Sequence, residues 1–259
     1  MDISKAYQRK IRENREQIGS GTLFEFLEDK PVLDLKYAKV KEIDSSTAKQ
    51  VIKNYEWLGT MSATTDISFG LFIDNIILGV VCFSNSRAGG QYTLFKKPAI
   101  CLSRGACVHY SPKNSSSFLI QNALRQIKVD KPTYVVAYSD FESGEIGQVY
   151  QSCSWYYLGE FQSIQWMSPD RRKYDMAHHR NIARQIDDKF KETKKLNPEV
   201  AKSVKNNLIS KGWKIIKGTI RGRYAIVIGN NSKEKREMIN LLIQNSKIYP
   251  KRNIYKEVM

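Results

Sequence analysis

The stretch that decides the fold runs AICLSRGACVHY (99–110), SPKNSSS (111–117), FLIQNALRQIKV (118–129) and TYVVAYSD (133–140). Its first and last segments are largely apolar, which is typical of buried strands. Between them, a turn of small polar residues leads into a segment with apolar residues at helical spacing. This order of strand, helix and strand predicts a parallel pair of strands joined by a right-handed crossover.

Further elements extend this unit in both directions. Residues 44–55 begin with an Asp-Ser pair and carry apolar residues three and four positions apart, which predicts an N-capped helix. Two apolar runs, 67–73 and 76–83, flank a short Asp-Asn turn and predict a β-hairpin. After residue 140, we expect a short helix, a strand, two charged helices, a strand or hairpin and a final helix. The predicted fold class is α/β, with a mixed central sheet flanked by helices.

Charge is distributed unevenly along the chain. The 42 Lys/Arg and 26 Asp/Glu give a net charge of +16, and residues 171–223 alone contain 16 basic and 5 acidic side chains, a net of +11. This excess is too large for balanced ion pairs along helices, and it favours a polyanionic partner such as nucleic acid. We expect four parts: a basic N-terminal arm or helix (1–40), a core (41–168), a basic helical insertion (169–212) and a C-terminal strand, helix and tail that complete the core (213–259).

The composition argues against several classes of protein. A hydrophobic content of 41% argues against a largely disordered chain. No run approaches the roughly 18 apolar residues that a membrane-spanning helix needs, and the first residues lack the apolar region of a signal peptide. We therefore expect a cytoplasmic protein that does not bind membranes. The four cysteines and three histidines do not have the spacing of a zinc site, and no metal ligands are predicted.

The turn at 111–117 has the properties of a phosphate-binding site. The first N–H groups of a helix point outward without partners, and the helix dipole favours an anion there. Small residues allow a phosphate to approach, and hydroxyl, amide and ammonium groups add donors. The alternative is an ordinary helix that is capped by Asn114 or Ser115. The predicted cofactor-binding residues are Lys113, Asn114, Ser115, Ser116 and Ser117.

Several short motifs carry a resemblance to a known family. The order of elements resembles the GNAT acyltransferase fold, in which a turn at this place holds the pyrophosphate of an acyl-CoA. More specifically, the sequence resembles the phage Mom family of DNA-modification proteins over residues 50–160, and more loosely over 210–252. The motifs that match are Leu102/Arg104, Pro112/Lys113/Asn114/Ser117, Tyr138/Ser139/Asp140 and Gly144/Gly147/Tyr150/Gln151.

The resemblance implies an enzyme that adds a carbamoylmethyl-type group to N6 of adenine in double-stranded DNA, with an acyl-CoA-like donor. The exocyclic amine is a weak nucleophile, so a positioned base or acceptor is needed. Asp140, at the end of a strand, is the candidate base or amine acceptor; a turn aspartate is the alternative. Tyr150 is the candidate acid or substrate positioner, unless it only packs in the core.

Two further charged residues are predicted catalytic residues. Arg104 lies in the middle of an apolar strand, where a charge needs a partner, and it faces either the site or a structural carboxylate such as Asp140. Glu56 follows the predicted helix 44–55, in the loop that overhangs the acceptor cleft of GNAT folds, and it is a candidate proton acceptor. A solvated surface carboxylate is the alternative.

The remaining predicted residues would contact the nucleic acid. A base inside a duplex is inaccessible, so it would be flipped out and stacked on aromatic faces. The predicted substrate-binding residues are Trp57, Tyr138, Ser139 and His109. The predicted DNA-binding residues are Arg171, Arg172, Lys173, Arg221 and Arg223. Two other functions stay open: an acyl-CoA-dependent N-acetyltransferase acting on a protein or small amine, and a non-catalytic DNA-binding protein.

Overall fold

A computed structural model describes residues 7–18, 33–62, 65–84, 93–170, 173–174 and 198–251. The helices of eight or more residues in these ranges are α1 (Tyr7–Ile18), α2 (Ser45–Tyr55), α3 (Ser115–Gln126), α5 (Pro198–Ser210) and α6 (Lys233–Asn245). A shorter helix, α4, spans Gln148–Ser152. The strands are β1 (Lys39–Ile43), β2 (Ile67–Ile73), β3 (Ile76–Ser84), β4 (Thr93–Leu94), β5 (Lys97–Cys107), β6 (Thr133–Asp140), β7 (Tyr156–Met167), β8 (Lys173–Tyr174) and β9 (Lys214–Ile228).

The chain divides into two compact units. The first consists of residues up to Gly159 together with those from Gly222 onward, and the second is Glu160–Arg221. In the first unit, the strand order is β1-β2-β3-β5-β6-β9-β7, with β4 paired to β5. In the second unit, β7 has β9 on one side and β8 on the other. The charged helix predicted at 180–196 lies outside the described residues.

The first unit has the predicted architecture. The pairs β1–β2, β2–β3 and β3–β5 are antiparallel. Strands β5 and β6 are parallel and are joined by the expected crossover helix. Apolar residues alternate across this pair, so that Leu102 of β5 packs with α2 and α3, and Cys101 packs with α6. The sheet is therefore covered by helices on both faces. The predicted fold class, a mixed α/β protein with a central sheet flanked by helices, is confirmed.

The parallel pairing of β5 and β6 is short. It runs from Ala99 opposite Tyr134 to Leu102 opposite Ala137, and it ends there. Both strands continue beyond this point, β5 to Cys107 and β6 to Asp140. In open α/β sheets, ligands bind in the crevice beyond the carboxyl ends of the parallel strands. The end of this pair is therefore where a binding cleft is expected.

Candidate active site

A β-bulge precedes Arg104 on β5. Leu102 is opposite Phe83 of β3 and Arg104 is opposite Cys82, so Ser103 is an extra residue on β5. The Ser103 hydroxyl donates to the carbonyl oxygen of Cys82 at 3.2 Å. A bulge bends its strand and changes the direction of the next side chain. The bulge lies where β5 stops pairing with β6, and it orients the guanidinium at that point.

Arg104 connects β5 to the turn that follows α2. Its Nε donates to the backbone carbonyl of Thr60 at 2.6 Å, and its Nη1 donates to the carbonyl of Ser103, also at 2.6 Å. The positive charge of Arg104 also acts on the carboxylate of Glu56, where it opposes the rise in pKa that burial causes. Arg104 thus bonds two backbone carbonyls and acts on Glu56, and no bond between it and Asp140, the carboxylate named in the sequence analysis, is found among the described residues.

Glu56 is a buried carboxylate, with 8% of the residue exposed. Its Oε2 accepts from the N–H groups of Leu58 at 2.9 Å and Gly59 at 3.2 Å. Burial raises the pKa of Glu56, while Arg104 and the two N–H groups oppose this rise. The expected alternative of a solvated Glu56 is therefore wrong. The half-buried Trp57 lies in the same turn, which ends at Gly59.

Tyr150 lies in an aromatic cluster. Its ring centroid is 5.3 Å from that of Trp155 and 5.2 Å from that of Tyr224. Burial raises its pKa far above the usual range for tyrosine, and the electrostatic influence of Cys101, Glu145 and Glu56 adds to the rise. The phenol therefore stays protonated and can act as a hydrogen-bond donor or an acid, but not as a base.

Three of the four predicted catalytic residues influence one another electrostatically. Arg104 acts on Glu56, and Glu56 acts on Tyr150. These side chains come from β5, the turn after α2 and α4, which are far apart in the sequence. A guanidinium, a buried carboxyl and a protonated phenol in one neighbourhood can stabilise charge and move a proton.

Tyr224 positions the segment that carries Tyr150, and the sequence analysis did not predict its role. Its hydroxyl donates to the carbonyl of Ile146 at 2.6 Å and accepts from Gln151 Nε2 at 3.3 Å. Gly147, with φ +71°, lies against the ring, and a Cβ at this position would overlap it. The motif glycine is therefore required by the close approach of Tyr224. Tyr224 lies in the looser part of the resemblance, residues 210–252, where nothing in the sequence pattern singles it out.

Ser139 and Asp140 occupy the end of β6. They are buried, with 4% and 7% of each residue exposed. Among the described residues, the Ser139 hydroxyl has no hydrogen-bond partner. Gly222 of β9 lies so close that a Cβ there would be 2.8 Å from Ser139 Oγ and from the Phe141 ring. The absence of a side chain at residue 222 thus lets β9 pack against the carboxyl end of β6.

The other two predicted substrate-binding residues have aromatic or cationic neighbours. His109 Nδ1 and Tyr55 Oη are 3.2 Å apart in a hydrogen bond, and the two rings are stacked. Arg12 of α1 donates to the His109 carbonyl at 3.2 Å. Tyr138 lies beneath Arg223, whose Cζ is 6.0 Å from the ring centroid. A predicted substrate-binding residue and a predicted DNA-binding residue are therefore adjacent.

At the turn 111–117, the predicted side-chain cap is wrong. Asn114 has the left-handed φ of +69° and makes no side-chain hydrogen bond to the helix. Ser115 cannot serve instead, because its hydroxyl donates to the Pro112 carbonyl at 2.7 Å. Ser117 donates to the Asn114 carbonyl, and Ser116 donates to Cys107 Sγ. The donors that remain at the start of α3 are backbone N–H groups and the exposed Lys113.

The predicted DNA-binding residues are only partly described. Arg171 and Arg172 lie outside the described residues, and Lys173 is described only as the first residue of β8. Arg221 belongs to the second unit, where its Nε donates to Thr219 Oγ1 at 3.3 Å. Arg223 belongs to the first unit. The contact of these five residues with DNA stays a prediction.

The described ranges contain no candidate metal site and no candidate membrane-spanning helix. There, no three His, Cys, Asp or Glu side chains are close enough together to hold a metal ion. None of the helices in that part of the chain is long and apolar enough to cross a membrane. The four cysteines, all within the described residues, are buried and form no disulfide.

Comparison with known proteins assigns the chain to a family. A family model described as the Mom protein family matches residues 37–251, which is well over half of the chain. The search of curated proteins found no match to the chain. The matched range includes the bulge on β5, the turn before α3 and the ends of β6 and α4. The chain belongs to the Mom protein family.

Proposed function

We propose that this protein is a phage DNA-modification enzyme that transfers a carbamoylmethyl-type group to N6 of adenine in double-stranded DNA and thereby protects the DNA from restriction. Membership of the Mom family indicates DNA modification in phages. The observation that carries the finer proposal is the separation of β5 and β6 after Leu102 and Ala137. It leaves Arg104 on one strand and Asp140 on the other, at the end of a parallel pair.

The proposed cleft is GNAT-like, with a flipped adenine between the separating strands. A base must leave the stack before its amine can react. Trp57 and Tyr138 supply aromatic faces for stacking, and both are half-buried. The buried Ser139 hydroxyl supplies a polar group for the edge of the base, because it has no hydrogen-bond partner among the described residues.

The chemistry assigns different roles to the charged groups. Asp140 accepts a hydrogen bond from N6 and takes its proton as the new bond forms. Arg104 stabilises the negative charge that develops opposite the amine, since its Nη2 has no hydrogen bond to a described residue. Tyr150, which stays protonated because burial raises its pKa, donates a hydrogen bond to the leaving atom of the donor as the bond between that atom and the transferred carbon breaks. Glu56 holds the turn and balances the charge of Arg104.

The amino end of α3 fits the phosphates of an acyl-CoA-like donor. The N–H groups of the first turn are not capped by a side chain, and Asn114 with its positive φ opens the backbone toward the solvent. Lys113 adds a positive charge, and the helix dipole favours an anion. The donor would supply the carbon group that is transferred. Ser115, Ser116 and Ser117 shape the turn through their local hydrogen bonds.

The test is mass spectrometry of nucleosides from the DNA of cells that express the protein. We expect a deoxyadenosine carrying the mass of one carbamoylmethyl group. Arg104→Ala and Asp140→Asn should remove it, and Asp130→Asn, at an exposed position before β6, should not. Unmodified DNA from well-folded protein would contradict the proposal. Persistent DNA binding would then favour the non-catalytic alternative, and acetyl-CoA turnover without DNA would favour an N-acetyltransferase.

A further inference from the structure

A groove lined by both apolar and cationic side chains lies at the other end of α3. It is an open groove of about 560 Å³ between the carboxyl-terminal half of α3, the end of β9 and the start of α6. We call it the α3–β9 groove. Its lining includes three cations, Arg125, Lys128 and Lys235, and no carboxylate. The amides of Gln121 and Asn230 also line it, and both residues are exposed.

The three cations come from different elements. Arg125 is in the last turn of α3, where a cation complements the helix dipole. Lys128 lies beyond the helix. Lys235 is in the first turn of α6, where the dipole disfavours a cation, and its Nζ donates to the Gly229 carbonyl at 2.6 Å. The hydrogen bond to Gly229 holds the Lys235 ammonium beside the groove, where it adds to the positive charge of Arg125 and Lys128.

The form of the groove favours a nucleic-acid backbone over a small anion. Arg125 and Lys128 are exposed on the rim, and no side chain encloses them. Exposed cations around an open groove, together with amide donors, are typical of contacts to phosphates and sugars that do not depend on sequence. A small phosphate ligand would instead be held by buried donors that surround it.

The length of α3 sets the scale of the distance between the groove and the cleft. The 12 residues of α3 extend from Ser115, beside the proposed cleft, to Gln126 beside the groove. At 1.5 Å per residue this distance is about 18 Å. A DNA strand rises about 3.4 Å per nucleotide, so about five base pairs span it. One duplex can therefore reach both ends of α3.

We propose that the α3–β9 groove binds the phosphate backbone of duplex DNA about five base pairs from the adenine in the cleft. The proposal rests on the proposed function, and it adds a contact outside both the basic segment 171–223 and the candidate active site. Phosphate contacts set the position and register of a protein on a duplex. The groove would thus fix how the target adenine is presented.

The experiment measures binding to a 30-bp fluorescent duplex (a length of about three helical turns) over a series of salt concentrations. The test variant is Arg125→Gln/Lys128→Gln, because both side chains are exposed and the fold should tolerate the change. The matched control is Lys49→Gln/Lys96→Gln, which removes two exposed charges that do not line the groove. Each lost phosphate contact should reduce the slope of log K against log salt by about one.

We expect the slope of the groove variant to fall by about two and that of the control to stay as in the unmodified chain. A groove variant with an unchanged slope would overturn the groove proposal and leave the proposed function standing. If the slope fell equally in the groove variant and in the control, the groove proposal would be overturned as well, since the loss of net charge alone would then explain the effect. If the unmodified chain does not bind duplex DNA, both proposals fail. Thermal unfolding by circular dichroism verifies that each variant is folded.

Discussion

Arg104 Nε donates a 2.6 Å hydrogen bond to the Thr60 carbonyl and so joins the bulged strand β5 to the turn that contains Glu56. The two residues are far apart in the sequence, and their contact closes one side of the proposed cleft. Because the guanidinium also donates to the Ser103 carbonyl, its orientation is fixed by two backbone acceptors. A planar side chain with several fixed donors suits this position.

Replacement of Arg104 by lysine should therefore abolish DNA modification, although the charge is retained. An ammonium cannot donate to both carbonyls in the same geometry and also face a ligand. We expect modified deoxyadenosine, measured by mass spectrometry, to fall at least about 10-fold, which corresponds to about 1.4 kcal/mol. Arg236→Lys, a like change at an exposed position of α6 that does not line the α3–β9 groove, is the control. Full activity of Arg104→Lys would show that only the charge is needed.

Tyr150→Phe should remove activity while leaving stability nearly unchanged. The substitution deletes the protonated phenol but keeps the ring that packs on Trp155 and Tyr224. Tyr157→Phe is a matched control, because Tyr157 packs on the same Tyr224 ring at 5.1 Å. Nucleoside mass spectrometry and thermal unfolding are measured for both variants. If Tyr150→Phe is as active as Tyr157→Phe, the phenol has no role at the leaving atom.

Glu56 should make stability depend on pH. Its pKa in the folded state is raised by burial above the ordinary value of 4.5, so the folded protein binds the proton more tightly than the unfolded chain. The contribution of Glu56 to stability is therefore complete below about pH 4.5 and is lost as the pH rises through the raised pKa. Urea unfolding of Glu56→Gln and of the unmodified chain at several pH values measures this difference. A constant difference in unfolding free energy from about pH 4 to pH 8 would contradict it.

Gly147→Ala should destabilise the protein by about 2–4 kcal/mol, since it combines a positive φ with an overlap between the new Cβ and the Tyr224 ring. Gly159→Ala separates the two effects. Gly159 also has a positive φ, of +87°, but the nearest atom to a Cβ there is Lys247 Cγ at 3.6 Å. We expect about 1 kcal/mol for this control, as strain alone requires. Equal losses in urea unfolding would show that Tyr224 moves away freely.

Gly222→Ala should reduce activity more than stability. The new Cβ would push against Ser139 Oγ and the Phe141 ring, and these residues flank Asp140. Because Ser139 and Asp140 are at the end of β6, a small displacement changes the position of the carboxylate without disrupting the rest of the strand. The measurements are modified deoxyadenosine and the midpoint of thermal unfolding. Undiminished activity would argue against a role for the end of β6.

Local patterns predicted the elements of the first unit well. The hairpin, the crossover from β5 to β6 and α2 with its Asp44 cap, which accepts from the Ser46 and Thr47 N–H groups, are as expected. Each depends on residues that are close in sequence. The segment 213–229, predicted as a strand or hairpin, is the single strand β9.

What the sequence could not predict depends on contacts between distant residues. The extra residue at Ser103 appears only when β5 is aligned with β3. Asn114 has a left-handed backbone conformation and does not cap α3 with its side chain. The turn before the helix is closed instead by the Ser115 N–H, which donates to the Pro112 carbonyl. The role of Tyr224 depends on its approach to Gly147, which lies 77 positions earlier in the sequence.

The four buried thiols give the protein a built-in chemical reporter. Cys82, Cys101, Cys107 and Cys153 lie on β3, on β5 and just after α4, all in the first unit. Burial raises the pKa of Cys82, Cys107 and Cys153, which keeps these sulfurs in the unreactive thiol form. Alkylation by iodoacetamide therefore requires the sheet to open. Its rate, followed with and without DNA, measures how strongly DNA binding holds the sheet closed.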